Sequence, residues 1–140
     1  MPDPGRWGFD EPGPLRDKLT SLALAGAKTT TASLLREYEA EGADLPRAGQ
    51  QDLLVDSQDQ PVAVVETLEV RVVRLADVDA NDEGEGYAGP TEFRISHERY
   101  WNGYLDGLRQ QLGDPHFVLT DDTLVVLERF RIVERLEPAE

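Results

Sequence analysis

The segment Gly26-Ala27-Lys28-Thr29-Thr30-Thr31-Ala32-Ser33 gathers side chains that can do chemistry. A glycine that ends a helix lets the chain turn sharply and sets the next lysine at the mouth of whatever the helix packs on. A lysine there supplies a point charge for a phosphate or carboxylate, or a base if burial disfavours its ammonium form. In an extended run Thr31 and Ser33 project to one side, so two hydroxyls share one face. The plainer alternative is an exposed lysine before a β-prone strand, and on spacing alone that arrangement is the commoner one. The upstream glycine spacing excludes a Walker phosphate loop.

Two further groups invite the same question. Asp82-Glu83-Gly84-Glu85-Gly86 suits neither helix nor strand, and two carboxylates cannot both be buried ionised without partners. Either the segment is a solvated acidic loop, or it aims Glu85 into a pocket as a proton acceptor or as the ion-pair partner of Lys28. The calcium-binding EF-hand pattern is absent. His97, Tyr100, Trp101 and Tyr104 fall with Phe93 on one helical stripe. Such a stripe stacks a base in some proteins and packs on a sheet in most. His97 is expected to face the sheet or the cleft wall with a ring nitrogen bonded.

These groups need elements to hold them. Residues 1–14 are rich in proline and glycine and read as an extended leader, with Trp7 and Phe9 tucked onto the domain. From Leu15 the apolar residues recur at helical spacing until Gly26. Thr29–Thr31 then favour an extended segment, and residues 36–49 a polar connection. Asp52–Asp56 reads as a strand, Ser57–Gln60 as a turn, and Pro61–Leu75 as a long valine-rich strand. Asp77–Gly89 is acidic and glycine-rich, Thr91–Leu112 an amphipathic helix ended by Gly113, and Thr123–Val133 a last strand. The order predicts an α+β domain, spanning about 15–136, round a small, mostly antiparallel sheet able to curl into a barrel.

Composition narrows the partners. The chain has 140 residues, 39% of them apolar, which is one domain's worth. Fourteen basic against 28 acidic residues leave a net charge of −14, which argues against a broad grip on duplex DNA. Short or single-stranded ligands with a local basic mouth, where Arg36 helps, remain compatible. The absence of cysteine excludes disulfides, Fe–S clusters and thiol catalysis, and two histidines make a histidine-rich metal site improbable. No run of about 18 apolar residues suggests a membrane span, and the acidic start is unlike a targeting signal, so a soluble cytoplasmic protein is expected. Twelve arginines against only Lys18 and Lys28 make each lysine a choice worth explaining.

In order, the chain resembles the ASCH family, related to the RNA-binding PUA domains. The likeness rests on Gly26-x-Lys28-x-x-Thr31-x-Ser33-Leu34, Tyr38-Glu39-x-Glu41-Gly42, Glu83-Gly84-Glu85-Gly86, His97 in the following helix, and Glu128-Arg129-Phe130. It runs from about Trp7 to Val133, with Phe93 where related chains often carry Trp. The resemblance implies a PUA-like β-barrel with flanking helices and a cleft facing the lysine and the acidic loop. It implies binding of RNA or a nucleotide, and single-stranded RNA cleavage assisted by a divalent metal as cofactor in some members. Shorter relatives are hydrolases of an acetylated cytidine, through residues matching Lys28, Thr31 and Glu85. A non-catalytic sensor is the third class. Ser33, Arg36, Tyr38 and His97 would complete the ligand site, and Lys28 and Glu85 would lie within ion-pair distance.

Overall fold

The computed structural model describes residues 5–9, 12–78 and 90–136. The elements are β1 (Gly5–Trp7), α1 (Pro14–Leu24), β2 (Thr30–Leu34), α2 (Leu35–Glu41), β3 (Gln51–Val55), β4 (Pro61–Arg74), α3 (Pro90–Asn102), α4 (Leu105–Leu112) and β5 (Leu124–Arg135). A single 3-10 turn, Leu75–Asp77, follows β4. This is an α+β chain with a five-stranded mixed sheet in the order β1-β3-β4-β5-β2. β1 runs parallel to β3, whereas β3 and β4 form an antiparallel hairpin.

The order is linear, so among the described residues the sheet is open where a small barrel was expected. Closure needs the two terminal strands to pair with each other. β1, only three residues long, pairs with β3 in parallel register. The leader is thus part of the sheet, because Gly5, Arg6 and Trp7 lie opposite Asp52, Leu53 and Leu54.

The chain forms two compact units. One comprises the N-terminal part through Thr29, Pro46–Val70 and the chain from Glu128 onward; the other comprises Thr30–Leu45 and Arg71–Leu127. In the first, Phe9, Ala23, Leu54, Ala63, Val65 and Phe130 form the core, flanked by Trp7, Leu19 and Ile132. The hairpin is set by Asp56, whose Oδ1 accepts the backbone N–H groups of Gln58 and Gln60 at 2.9 and 3.0 Å. Arg16 on α1 donates to the Phe9 carbonyl at 3.0 Å and so ties the leader down.

In the second unit, Leu34, Leu75, Val78, Trp101, Leu108, Val125 and Leu127 form the core. Two expectations need correction here. Residues 36–49 are not all connection, since α2 opens the segment. Its few apolar positions conceal the helix, and side chains rather than an apolar stripe mark it. Glu37 Oε2 accepts the Leu34 N–H at 2.8 Å, half of a capping box, and Oε1 accepts the Tyr104 hydroxyl at 2.7 Å. The expected helix over 91–112 is two, α3 and α4. At the break the Gly103 and Tyr104 N–H groups reach back only three residues, to Tyr100 and Trp101. Trp101, 1% exposed, fills the core beneath this junction.

Trp101→Ala is expected to destabilise the protein by about 3–5 kcal/mol, through lost transfer energy and a residual cavity. Leu68→Ala, at a 39% exposed position on β4, should cost about 1 kcal/mol or less. Urea denaturation of both variants checks the contrast.

Candidate functional site

The Lys28 position is built by the end of α1. Gly26 takes φ +81°, a left-handed conformation that favours glycine, and the N–H groups of Ala27 and Lys28 both return to the Leu22 carbonyl. The turn directs Lys28 inward, and the residue is only 5% exposed. Its Nζ lies 5.2 Å from the centroid of the Phe9 ring, which supports a cation–π contact. Phe9 belongs to an aromatic trio, with ring centroids 4.7 Å from Trp7 to Phe9 and 5.3 Å from Trp7 to Phe130.

The same unit buries a carboxyl group. Glu128 on β5 is 8% exposed, and the Thr67 hydroxyl on β4 donates to its Oε1 at 2.6 Å. Burial pushes the Glu128 carboxyl above its ordinary pKa, Thr67 acts in the opposite direction, and the nearby charge of Asp52 raises it further. Asp52 is itself held in place: Gln50 donates to Oδ2 at 3.0 Å, and Oδ1 lies where a Cβ on Gly5 would sit at 2.7 Å. Gly5, which has no Cβ, leaves room for that carboxylate beside β1. Along β5, Glu128 alternates in phase with Phe130, and along β4 Thr67 alternates with Ala63 and Val65, all buried.

The first unit therefore holds a buried ammonium, an aromatic cluster and a buried carboxyl–hydroxyl pair. Among the described residues no group of three or more His, Asp or Glu side chains is arranged to hold a metal ion. No helix among the described residues is long and apolar enough to cross a membrane. The sequence profile of the ASCH domain matches residues 5–134. The chain belongs to the ASCH domain family.

Two solved structures share the fold of this ASCH chain. Protein EF3133 from Enterococcus faecalis is 28% identical, with a TM-score of 0.79 over 96% of this chain and 79% of that one. An ASCH domain from Lactobacillus crispatus is 22% identical, with a TM-score of 0.75 over 93% and 79% of the two chains. The likeness supports a PUA-like fold, here with an open sheet. No curated protein matches the chain.

The residues expected at the ASCH site divide between the two units. Lys28 is in the first. Thr31 and Ser33 on β2, Arg36 and Tyr38 on α2, and His97 on α3 are in the second, all half-buried. Glu83 and Glu85 lie outside the described residues, and so does the proposed pairing of Glu85 with Lys28. In the second unit Arg36 pairs with Glu39 at 2.6 Å and Asp114 at 3.5 Å and sits 5.7 Å over the Phe117 ring. It borders a depression of about 290 Å³ floored by Leu35, Phe117 and Leu124. The charge of Arg36 is thus already answered by carboxylates. His97 lies with its ring 5.2 Å from Trp101.

Sequence reasoning missed Glu128 and Thr67 as site residues, although Glu128 carried part of the family likeness. The signal was present: Val126, Glu128, Phe130 and Ile132 form one alternating register in which Glu128 alone is polar. An acid in an apolar phase is either paired or functional.

The raised pKa makes Glu128 a stability switch of known sign. The folded state holds the proton more tightly than the unfolded chain does. Stability from this group is full below the ordinary value of 4.5 and is lost as pH rises through the folded value. Glu128→Gln keeps the shape and removes the titration. Its unfolding free energy should gain on wild type as pH rises from 4.5 to about 8, measured by chemical denaturation at each pH. A difference that does not change with pH would mean that folding leaves the carboxyl unperturbed.

Proposed function

We propose that this ASCH domain binds a nucleotide or a short stretch of single-stranded RNA, with Lys28 contacting the anionic group of the ligand. The observation that carries the reading is Lys28 itself, one of two lysines among fourteen basic residues and only 5% exposed against an aromatic ring. Burying an ammonium is costly, and a chain that otherwise uses arginine retains the compact cation here. Trp7, the half-buried member of the aromatic trio, suits a ligand with a flat base, since stacking is tolerant of base identity. The net charge of −14 supports a small ligand, because a long polyanion would be repelled by the remainder of the surface.

A second reading is hydrolysis, favoured by the Glu128–Thr67 pair. A buried carboxyl that holds its proton more tightly than an exposed one suits a general acid. In this reading the substrate is an acylated cytidine-type nucleoside. The family likeness adds Thr31 as nucleophile and Glu85 as the carboxylate that works with Lys28. Metal-assisted RNA cleavage is the other hydrolytic outcome, with water in place of the Thr31 hydroxyl.

Lys28→Ala is expected to weaken binding of single-stranded RNA oligomers by about 10- to 100-fold, the weight of a charge-assisted hydrogen bond. Lys28→Arg should not restore it, because a forked guanidinium does not fit a site shaped for an ammonium. Calorimetric titrations at several salt concentrations would measure both, with duplex DNA as the ligand expected not to bind. Equal affinity of wild type and Lys28→Ala would overturn the reading. Incubation with acetylated cytidine, and with RNA with and without a chelator, tests the hydrolytic alternatives. Thr31→Val should stop amide hydrolysis but only slow metal-assisted RNA cleavage.

A further inference from the structure

The Glu128 side chain uses only half of its hydrogen-bonding capacity. Oε1 receives the Thr67 hydroxyl, and among the described residues Thr67 is the only hydrogen-bond partner of this side chain. Oε2 is left without one, on a residue 92% buried by its 8% exposure. Buried polar atoms are nearly always bonded, so an exception calls for a missing partner. A structural carboxyl would be expected to spend both oxygens on the protein.

The surroundings identify what that partner offers. The charge that acts on Glu128 is the negative one of Asp52 on β3; Lys28, which follows α1, lies in the same unit. Lys28 sits over Phe9, whose ring lies 6.0 Å from that of Phe130, two residues along β5. Arg129 and Glu69 pair with each other at the surface, at 2.9 Å. Because the Thr67 hydroxyl donates to Oε1, that oxygen serves as the acceptor, and the protonated form of the carboxyl carries its proton on Oε2. A group with its proton on Oε2 donates; it needs an acceptor opposite.

We propose that Oε2 of Glu128 is the hydrogen-bond donor through which this site holds an acceptor atom, a carbonyl oxygen or ring nitrogen, of the base carried by its nucleotide ligand. The inference rests on the nucleotide reading given above. It makes Glu128 a ligand-contacting residue and Thr67 its positioning residue. Lys28 then meets the anionic group and Glu128 the base, so one ligand is held at both ends. Ionising Glu128 removes the donor and sets a negative oxygen against the ligand's lone pair, so binding is lost as the carboxyl titrates.

The test is calorimetric titration with the set of dinucleoside monophosphates, whose phosphodiester stays ionised throughout, from pH 4.5 to about 8. Wild-type affinity should fall with rising pH, by up to about tenfold per pH unit once Glu128 ionises. Glu128→Gln, whose amide is a permanent donor, should bind with little pH dependence, whereas Glu128→Ala should lose about tenfold or more at the acid end. Thr67→Val removes the bond that favours ionisation, so its profile should shift to higher pH. A purely structural Thr67 would leave the profile in place. If wild type and Glu128→Gln share one pH profile, the proposal is overturned while the nucleotide reading stands. If wild type binds no dinucleotide at any pH, the nucleotide reading falls and this inference with it.

Discussion

The contact of Phe9 with Phe130 is the one on which the first unit depends. Phe9 is 4% exposed, its carbonyl is held by Arg16 from α1, and its ring packs against the last strand and Trp7. A leader rich in proline and glycine has little propensity of its own, so its order comes from this tertiary burial. Burying an aromatic side chain contributes about 1.5–3 kcal/mol. That is comparable to the entropy of fixing one or two residues, and the parallel pairing of β1 with β3 supplies the rest. The same ring then serves as the surface over which the Lys28 ammonium lies. Fold and candidate site therefore share an anchor: loosening Phe9 would free the leader and remove the ring under the cation together.

Much of this was legible in the sequence because local rules and tertiary structure agree there. Leu15, Leu19 and Ala23 mark α1, Gly26 ends it, and the valine-rich run after Pro61 is β4. Phe9 of the leader lies in the core of the first unit, with Trp7 packed against it. What failed did so for identifiable reasons. α2 carries Arg36, Glu37, Glu39 and Glu41, so no apolar period reveals it, and its start depends on one carboxylate that serves two partners. The break near Gly103 was hidden because apolar spacing continues in phase from Trp101 through Leu105 to Leu108. Barrel closure was beyond reach, since it depends on which strands meet at the sheet ends rather than on any strand's own pattern.

The site was half legible for a related reason. Lys28 announced itself by rarity and by the glycine before it, both local facts. The partnership of Thr67 and Glu128 spans 61 residues of chain and exists only because β4 and β5 are neighbours in the sheet. Glu128 differs from the chain's other acids in its register, not in its type. The charge total obscured this, because with 28 acidic residues any one of them looks like surface decoration. Position within an alternating apolar strand was the discriminating signal, and the total count carried none of it.

The electrostatic arrangement then constrains what the site can hold. Glu128 and Lys28 are buried in the first unit, and ionisation of Glu128 would place a second negative charge beside that of the half-buried Asp52. An anionic ligand would meet that unfavourable field however well Lys28 was placed. Retention of a proton on Glu128 removes one negative charge and supplies a donor in the same step. The burial that raises its pKa is therefore what limits the negative charge that an anion would meet in this unit. Thr67 sets the limit of that effect. Its hydroxyl favours the ionised form and so opposes the burial that favours the protonated acid. A group under such opposed influences responds to whichever ligand atom faces it: an acceptor favours the proton on Oε2, and a donor favours the charge. In the proposed site the ligand selected by Glu128 is thus the one whose own hydrogen-bonding character agrees with the protonation that burial, Thr67 and Asp52 set.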